Sequence, residues 1–276
     1  MTEQISHVLL DIEGTTCPLS FVSGTLFPYA ARELGPYLKR HHQDETVQMH
    51  CQAVIEAWQQ DSDPQARQLW NQAQTCDSVE VGGITVRPWH GSKIEPYLQW
   101  LIASDRKLTP LKELQGMVWA EGYARGELVG DLFEEVPGVL QEWQQQGLVL
   151  GVYSSGSIAA QKLLYGHSQA GDLCPLFSHW FDTHSGGKHE IDSYKRICAA
   201  MDVEPQHVLF ISDSMAELQA AAAADLQVVL SDRDNSLSPE QTAISTHITP
   251  AETGGYRSIS NLNQLQLNSF PSRSHG

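Results

Sequence analysis

His7-Val-Leu-Leu-Asp-Ile-Glu-Gly-Thr-Thr16 is the stretch on which the reading of this 276-residue chain turns. The apolar run His7 to Ile12 is short and bounded by turn residues, which predicts a buried strand. Gly14 and two threonines then stop it. Two carboxylates, Asp11 and Glu13, are left where the chain leaves the strand. A continued strand would aim both the same way, and Gly14 allows a sharp turn that lets both project into a cleft. One carboxylate could then attack phosphorus while the other handles a proton, the division of labour that covalent phosphoryl transfer needs. A solvated acidic strand end gives the same three letters, so the motif gains meaning only beside the later strand ends.

The pattern repeats further along the chain. After about residue 131, apolar runs alternate with helical periodicity. Leu148-Val-Leu-Gly-Val-Tyr153, a short run at His179 to Asp182, Val208-Leu-Phe-Ile211 and Leu226-Gln-Val-Val-Leu230 read as strands. Helical segments are predicted between them: one opened by Pro137 and ended by Gly147, one with Ile158 and Leu163, one from Ile191 to Met201, and Ala216 to Ala224. Strands and helices alternating at these lengths predict an α/β fold, a doubly wound parallel sheet covered on both faces. Between the first and second strands lies a Gln-, Trp- and Ala-rich stretch in which Val47, Cys51, Val54 and Trp58 recur every three or four residues. Pro36, Pro64, Pro88, Pro96 and Pro110 divide it into several helices. The expected organisation is a core of residues 1–20 and 128–276 with an inserted helical domain of residues 21–127. The polar end, Asn268 to Gly276, is expected to be disordered.

Ligands of open parallel sheets sit outside the carboxyl ends of the strands, so those ends carry the candidate chemistry. Tyr153-Ser-Ser-Gly-Ser157 presents hydroxyls and amides at a helix start, where an anion can bind; a plain helix cap is the other reading. A serine-hydrolase elbow is excluded, because neither Ser154 nor Ser155 is flanked by glycines as Gly-x-Ser-x-Gly requires. Gly186-Gly-Lys188 could set one cation against a phosphate oxygen. It is not a P-loop, since His189 stands where Ser or Thr is needed. Ile211-Ser-Asp213, with Glu217 four residues on, offers hard oxygen ligands of the kind Mg2+ takes. Each signal is weak alone; their order along successive strand ends is what carries weight.

That series resembles the four motifs of the haloacid dehalogenase superfamily. Leu10-Asp-Ile-Glu-Gly-Thr-Thr16, with Glu13 where phosphatases of the superfamily usually carry aspartate, narrows it. So do Val152-Tyr-Ser-Ser-Gly-Ser157, Gln161-Lys-Leu-Leu164, Gly166-His-Ser168, and Lys188 followed by Ser193-Tyr194. Over nearly the whole chain the sequence is similar to the enolase-phosphatase family of methionine salvage. The resemblance implies a Rossmannoid core with an inserted helical cap that excludes water and selects substrate. It also implies one Mg2+ per subunit, and conversion of 2,3-diketo-5-methylthiopentyl-1-phosphate to an acireductone plus phosphate. Carried over by residue, it makes Asp11 the nucleophile and a metal ligand. Glu13 becomes the general acid and base, with its carbonyl on the metal. Ser154 and Ser155 hold the phosphate, Lys188 balances its charge, and Asp213 completes the metal site. Glu217 matches a second acidic position with a less defined role. An acid role for Glu13 requires its pKa to rise above the ~4.3 of free glutamate. Trp119, Glu121 and Tyr123 are candidates for contact with the substrate's carbon chain, or else part of an aromatic core. Two other readings stay open: a phosphatase for another small ester, and a phosphate-binding protein without catalysis.

Composition sets limits on partners. Thirty-three acidic against 17 basic residues give a formal charge of −16, which argues against nucleic acid or an anionic membrane surface. No run approaches the ~20 apolar residues that span a bilayer, and Met1 to Ser6 lacks a signal-peptide pattern. Five scattered cysteines without a CxxC pair indicate reduced thiols rather than a disulfide framework or zinc site. His41-His42 and the trio His179, His184, His189 lack metal-ligand spacing, so solvated or core positions are expected. A cytoplasmic monomer acting on a small phosphorylated diketone is the overall expectation.

Overall fold

The computed structural model describes residues 4–74, 79–81, 84–86, 90–234 and 256–267. Strand β1 (His7–Leu10) and a single helical turn α1 (Leu19–Phe21) open the chain, followed by a π-helical turn over Val22–Leu26. Helices α2 (Phe27–Arg40), α3 (Glu45–Gln60) and α4 (Pro64–Gln74) come next. Strands β2 (Val79–Val81) and β3 (Ile84–Val86) precede α5 (His90–Ala103) and α6 (Thr109–Ala124). Then α7 (Val136–Gln145), β4 (Val149–Tyr153), α8 (Ile158–Gly166), β5 (His179–Phe181) and α9 (Ile191–Ala200) alternate. Finally come β6 (Val208–Ser212), α10 (Met215–Ala222), β7 (Gln227–Ser231) and the two-residue β8 (Ser258–Ile259).

The chain divides into two units, one running up to Phe21 and resuming at Val129, the other spanning Val22–Leu128. The first holds a six-stranded sheet in the order β5-β4-β1-β6-β7-β8, parallel at every pairing. Parallel strands covered on both faces must be apolar throughout rather than alternating. Val8, Leu9, Leu10, Leu209, Phe210 and Ile211 are accordingly all buried. Chain order leaves β1 in one direction through β4 and β5, then returns to its other side for β6, β7 and β8. The reversal falls between β1 and β6, so the crevice at their carboxyl ends is the sheet's switch point.

The second unit packs helices on their apolar stripes. Asp44 caps α3 by accepting from the amides of Thr46 and Val47, and Val47, Cys51, Val54 and Trp58 form its buried face, as their spacing predicts. Trp58 stacks on Tyr97 at 4.6 Å between centroids and donates to the Ala66 carbonyl at 2.8 Å. Tyr123 is buried, Trp119 donates to the Leu26 carbonyl at 2.9 Å, and Glu121 is paired with Arg40, His41 and Arg125.

The structure differs from the sequence expectation in three places. The inserted stretch contains an antiparallel pair, β2 with β3, where helices alone were expected. A sixth strand, β8, extends the sheet. His41 and His184 have carboxylate partners, Glu121 at 2.6 Å and Asp182 at 2.8 Å, which spacing did not reveal. Among the described residues Cys17, Cys51, Cys174 and Cys198 are free thiols. No helix there is long and apolar enough to cross a membrane. Cys76, Pro88 and the tail Asn268–Gly276 lie outside the described residues.

At the amino ends of the strands, His7 is held below the usual histidine range, first by burial and then by repulsion from His179 and His207. Burial lowers His179 as well. A histidine depressed in the fold binds fewer protons than in the unfolded chain, so stability rises with pH across that window. The stabilisation is complete above the unfolded value near ~6.5 and is lost as pH falls through the folded one. Urea midpoints should therefore drop between pH 7 and pH 5, and His7→Gln should drop less. An identical drop in the two proteins would remove His7 as a cause.

Candidate active site

Asp11 is the first residue past β1, and its amide donates to the Ile211 carbonyl of β6 at 3.0 Å. This hydrogen bond keeps Asp11 in line with the strand, at the switch-point crevice, where it is 5 % exposed. The chain then turns at once. The Ile12 carbonyl accepts from the amides of Thr15, Thr16 and Cys17 at 3.1, 2.9 and 2.9 Å. Gly14 adopts φ +68°, and a Cβ there would overlap the Asp213 carboxyl. Glycine is required on both counts, conformation and space. Because the strand stops at Leu10, Asp11 and Glu13 do not share one strand face. Glu13 instead forms an isolated bridge with Cys17 and is half-buried.

Lys188 reaches this centre from the loop after β5. Its Nζ lies 2.6 Å from Asp11 Oδ1 and 2.6 Å from Glu217 Oε2. Gly186, at φ +118°, lets the loop pass Ser193 and Arg196, whose side chains a Cβ would strike. Tyr153 donates to the Gly186 carbonyl at 2.9 Å and Tyr194 to the Lys188 carbonyl at 2.7 Å. The two rings meet edge to face at 5.6 Å. The lysine is thus fixed through its own backbone as well as by its ion pairs.

Behind β6, Ser212 Oγ lies 2.8 Å from Glu217 Oε2 and 3.3 Å from Asp11 Oδ2, and it accepts from the Ser214 amide at 3.1 Å. Burial first, then Asp11 and Glu217, push the Asp213 carboxyl up to about 6. Glu217 is raised by burial and by Asp11. Burial alone would lower Lys188, but Asp11 and Glu217 outweigh it and hold the ammonium above its usual range. Two buried carboxylates, Asp11 and Glu217, therefore share one lysine by direct contact, with the half-buried Asp213 close by.

Ser154 is buried at the end of β4, its hydroxyl accepting from the Gly156 amide at 3.2 Å, while Ser155 is exposed. Ser157 caps α8 by accepting from Ala160. Gln161 clamps this loop, donating to the carbonyls of Gly156 and Phe181 at 2.8 Å each. The structure thus joins Asp11, Lys188 and Glu217 directly and sets Asp213 against the Gly14 backbone. Glu13, Ser154 and Ser155 stand on the neighbouring strand-end loops. Sequence reasoning missed Ser212, Tyr153, Tyr194 and Gln161 as site-builders. Ser212 and Tyr153, each at a strand end beside a candidate residue, carried a local signal.

The donor set suits a divalent cation. Asp11, Asp213 and Glu217 are three carboxyl groups against the one ammonium of Lys188, and Gly14 adjoins the Asp213 carboxyl. Among the described residues no group of three His, Cys, Asp or Glu side chains that could hold a metal ion is present. Mg2+ commonly takes only one or two carboxylates and fills its shell with waters and substrate phosphate.

A family model described as haloacid dehalogenase-like hydrolase matches residues 5–225. A protein of Synechococcus sp. (strain CC9902) named enolase-phosphatase E1 is 46 % identical over 237 residues, 86 % of this chain and 92 % of its own. One of the same name from Stenotrophomonas maltophilia is 41 % identical over 260 residues, 94 % of this chain and 98 % of its own. The crystal structure of the UTR4 protein of Saccharomyces cerevisiae aligns with a TM-score of 0.65 at 29 % identity. That alignment covers 95 % of this chain and 100 % of that one.

The shared lysine gives a stability test. Lys188→Met strands carboxylates whose side chains are 7 % and 12 % exposed, and breaking a buried pair costs about 3–5 kcal/mol. Thermal melting in EDTA should show a clear loss in Tm; an unchanged Tm would mean the carboxylates take up protons at no cost.

Proposed function

The chain belongs to the haloacid dehalogenase-like hydrolases and, within them, to the enolase-phosphatases, and on that basis we propose the reaction and the residues that carry it. The substrate is 2,3-diketo-5-methylthiopentyl-1-phosphate. The products are the acireductone 1,2-dihydroxy-3-keto-5-methylthiopentene and phosphate, a step of L-methionine salvage. The observation that carries the assignment is Lys188 at 2.6 Å from Asp11, a buried carboxylate paired with a cation at the switch point.

Enolisation comes first. Glu13 takes a proton from the carbon next to the carbonyl, and the electron pair moves onto the carbonyl oxygen. Asp11 then attacks phosphorus: its carboxylate oxygen bonds to phosphorus, and the ester oxygen leaves with its electron pair. Glu13 returns a proton to that oxygen. In the second half, water attacks the aspartyl-phosphate, Glu13 accepts the water's proton, and Asp11 is regenerated with release of phosphate. Glu13 gives that proton up to solvent and the enolate oxygen takes one from solvent, so the dihydroxy product forms and Glu13 returns to its starting form. Ser154, Ser155 and Lys188 hold the phosphate oxygens throughout, because positioning and charge compensation are most of what phosphoryl transfer requires. Asp11, Asp213 and the Glu13 carbonyl would hold Mg2+, which would offset phosphate charge and stabilise the enediolate oxygen as a Lewis acid. All these residues belong to one chain, so a monomer suffices. A cytoplasmic location goes with the same reading.

Incubation with the diketone phosphate, with and without Mg2+, is the direct test. Phosphate and an absorbing enediol should both appear, and only with the metal present. Phosphate without the enediol would point to another small ester as the substrate. Asp11→Asn should lower turnover by about a thousandfold or more while substrate still binds; full activity would exclude the covalent route. Glu13→Gln should slow both steps, and an intact enolisation rate would take Glu13 out of that step.

A further inference from the structure

Ser231-Asp-Arg-Asp234 starts on the last residue of β7 and turns away from the sheet, two strands away from the nucleophile. Ser231 and Arg233 both reach the turn after Asp11. Ser231 donates to the Gly14 carbonyl at 2.9 Å. Arg233 donates to the next carbonyl, Thr15, through Nε at 3.1 Å and also through Nη2. Its remaining donor, Nη1, pairs with the Glu135 carboxylate and reaches the Ser260 carbonyl at 3.3 Å. The guanidinium carbon lies 4.1 Å from the centre of the Phe133 ring.

The Arg233 and Glu135 side chains are only 9 % and 10 % exposed. A buried ion pair is seldom more stabilising than an apolar pair of the same volume, so stability alone is a weak reason for this one. Its directionality is a better reason. The fork of a guanidinium fixes several acceptors at set angles, and here it spans three separate segments. These are the nucleophile turn at Thr15, the start of α7 at Glu135, and the 256–267 segment at Ser260. Glu135 also accepts from the Leu262 amide at 3.2 Å. The turn is also held at Thr16, whose hydroxyl lies 2.7 Å from that of buried Tyr165 and whose carbonyl accepts from the Phe133 amide at 3.1 Å.

We propose that Arg233 is a positioning residue for the reaction, acting through the Thr15 carbonyl to hold the Asp11–Thr16 turn, with Glu135 orienting its guanidinium. The inference rests on Asp11 and Glu13 being the reacting groups. The turn puts them two residues apart, so a small rotation of it would displace Glu13 and its carbonyl relative to Asp11. Misplacement of about 1 Å in a reacting geometry can cost two orders of magnitude in rate.

The test compares wild type, Arg233→Met, Arg233→Lys, and Arg233→Met combined with Glu135→Leu. The double variant removes both buried charges at once and guards against simple failure to fold. Each is assayed well below its own Tm. Arg233→Met should lose about 10- to 100-fold in kcat with KM within about threefold of wild type, and Arg233→Lys should recover part of it. The double variant should regain Tm relative to Arg233→Met yet keep the low kcat. Amide hydrogen exchange supplies a readout independent of substrate: residues 13–17 should exchange faster in Arg233→Met while Val8–Leu10 stay protected. A purely structural pair predicts wild-type kcat in the folded double variant and unchanged exchange at 13–17, and either result overturns the proposal. If wild type fails on the diketone phosphate, the proposed function fails, and the kcat comparison is made on p-nitrophenyl phosphate instead.

Discussion

Lys188 stands 2.6 Å from Asp11 and 2.6 Å from Glu217 in a place nearly closed to water, and much of the first unit is arranged around that fact. Carboxylates brought together out of water repel and are driven towards protonation, as Asp213 and Glu217 are. Lys188 offsets that repulsion at Asp11 by direct contact, and Ser212 adds a hydroxyl to the other oxygen at 3.3 Å. In the proposed reaction a cation and a phosphate enter beside these groups.

Keeping one lysine in that position takes more than its ion pairs. Its side chain has rotamer freedom that ordering must overcome, and its loop would otherwise wander. The backbone is therefore held from below: Tyr194 on the Lys188 carbonyl, Tyr153 on the Gly186 carbonyl, and Gly186 in a conformation that other residues strain to adopt. The Asp11–Thr16 turn is treated alike. Its Gly14 and Thr15 carbonyls are taken by Ser231 and Arg233, and its Thr16 hydroxyl meets Tyr165. Strand ends thus carry loops whose main-chain acceptors are tied by side chains from other strands, helices and turns of the same unit.

This construction explains what could be read in the sequence. The long strands were legible because a parallel sheet buried on both faces needs unbroken apolar runs, and Val8–Leu10, Leu150–Tyr153 and Val208–Ile211 supply them. Asp11, Ser154, Lys188 and Asp213 were legible because each comes after such a run. β8 was not, since two residues give no period, and the β2–β3 hairpin was lost in a Gln- and Ala-rich helical setting. Gln161 and Tyr194 stood in the motifs that carried the family resemblance, but not as anchors of Phe181 and Lys188. Arg233 was beyond reach for a different reason, since its pairing with Thr15 crosses 218 residues. Nothing local in Ser231-Asp-Arg-Asp234 says that its arginine will meet the nucleophile turn.

The contrast between Asp11 and Glu13 arises from where the strand ends. Asp11 still belongs to the ladder through its amide on Ile211, so its carboxylate is fixed and buried and suits attack along one line. Glu13 lies in the turn, half-buried and one methylene longer. In the proposed mechanism it must exchange protons with a carbon, an ester oxygen and a water in succession. A group fixed as tightly as Asp11 could serve one of those sites but not all three. Reach is useful only if the turn carrying it does not drift. The same short segment therefore needs a long side chain and a main chain that stays in place, and anchoring its carbonyls to Ser231 and Arg233 supplies the second.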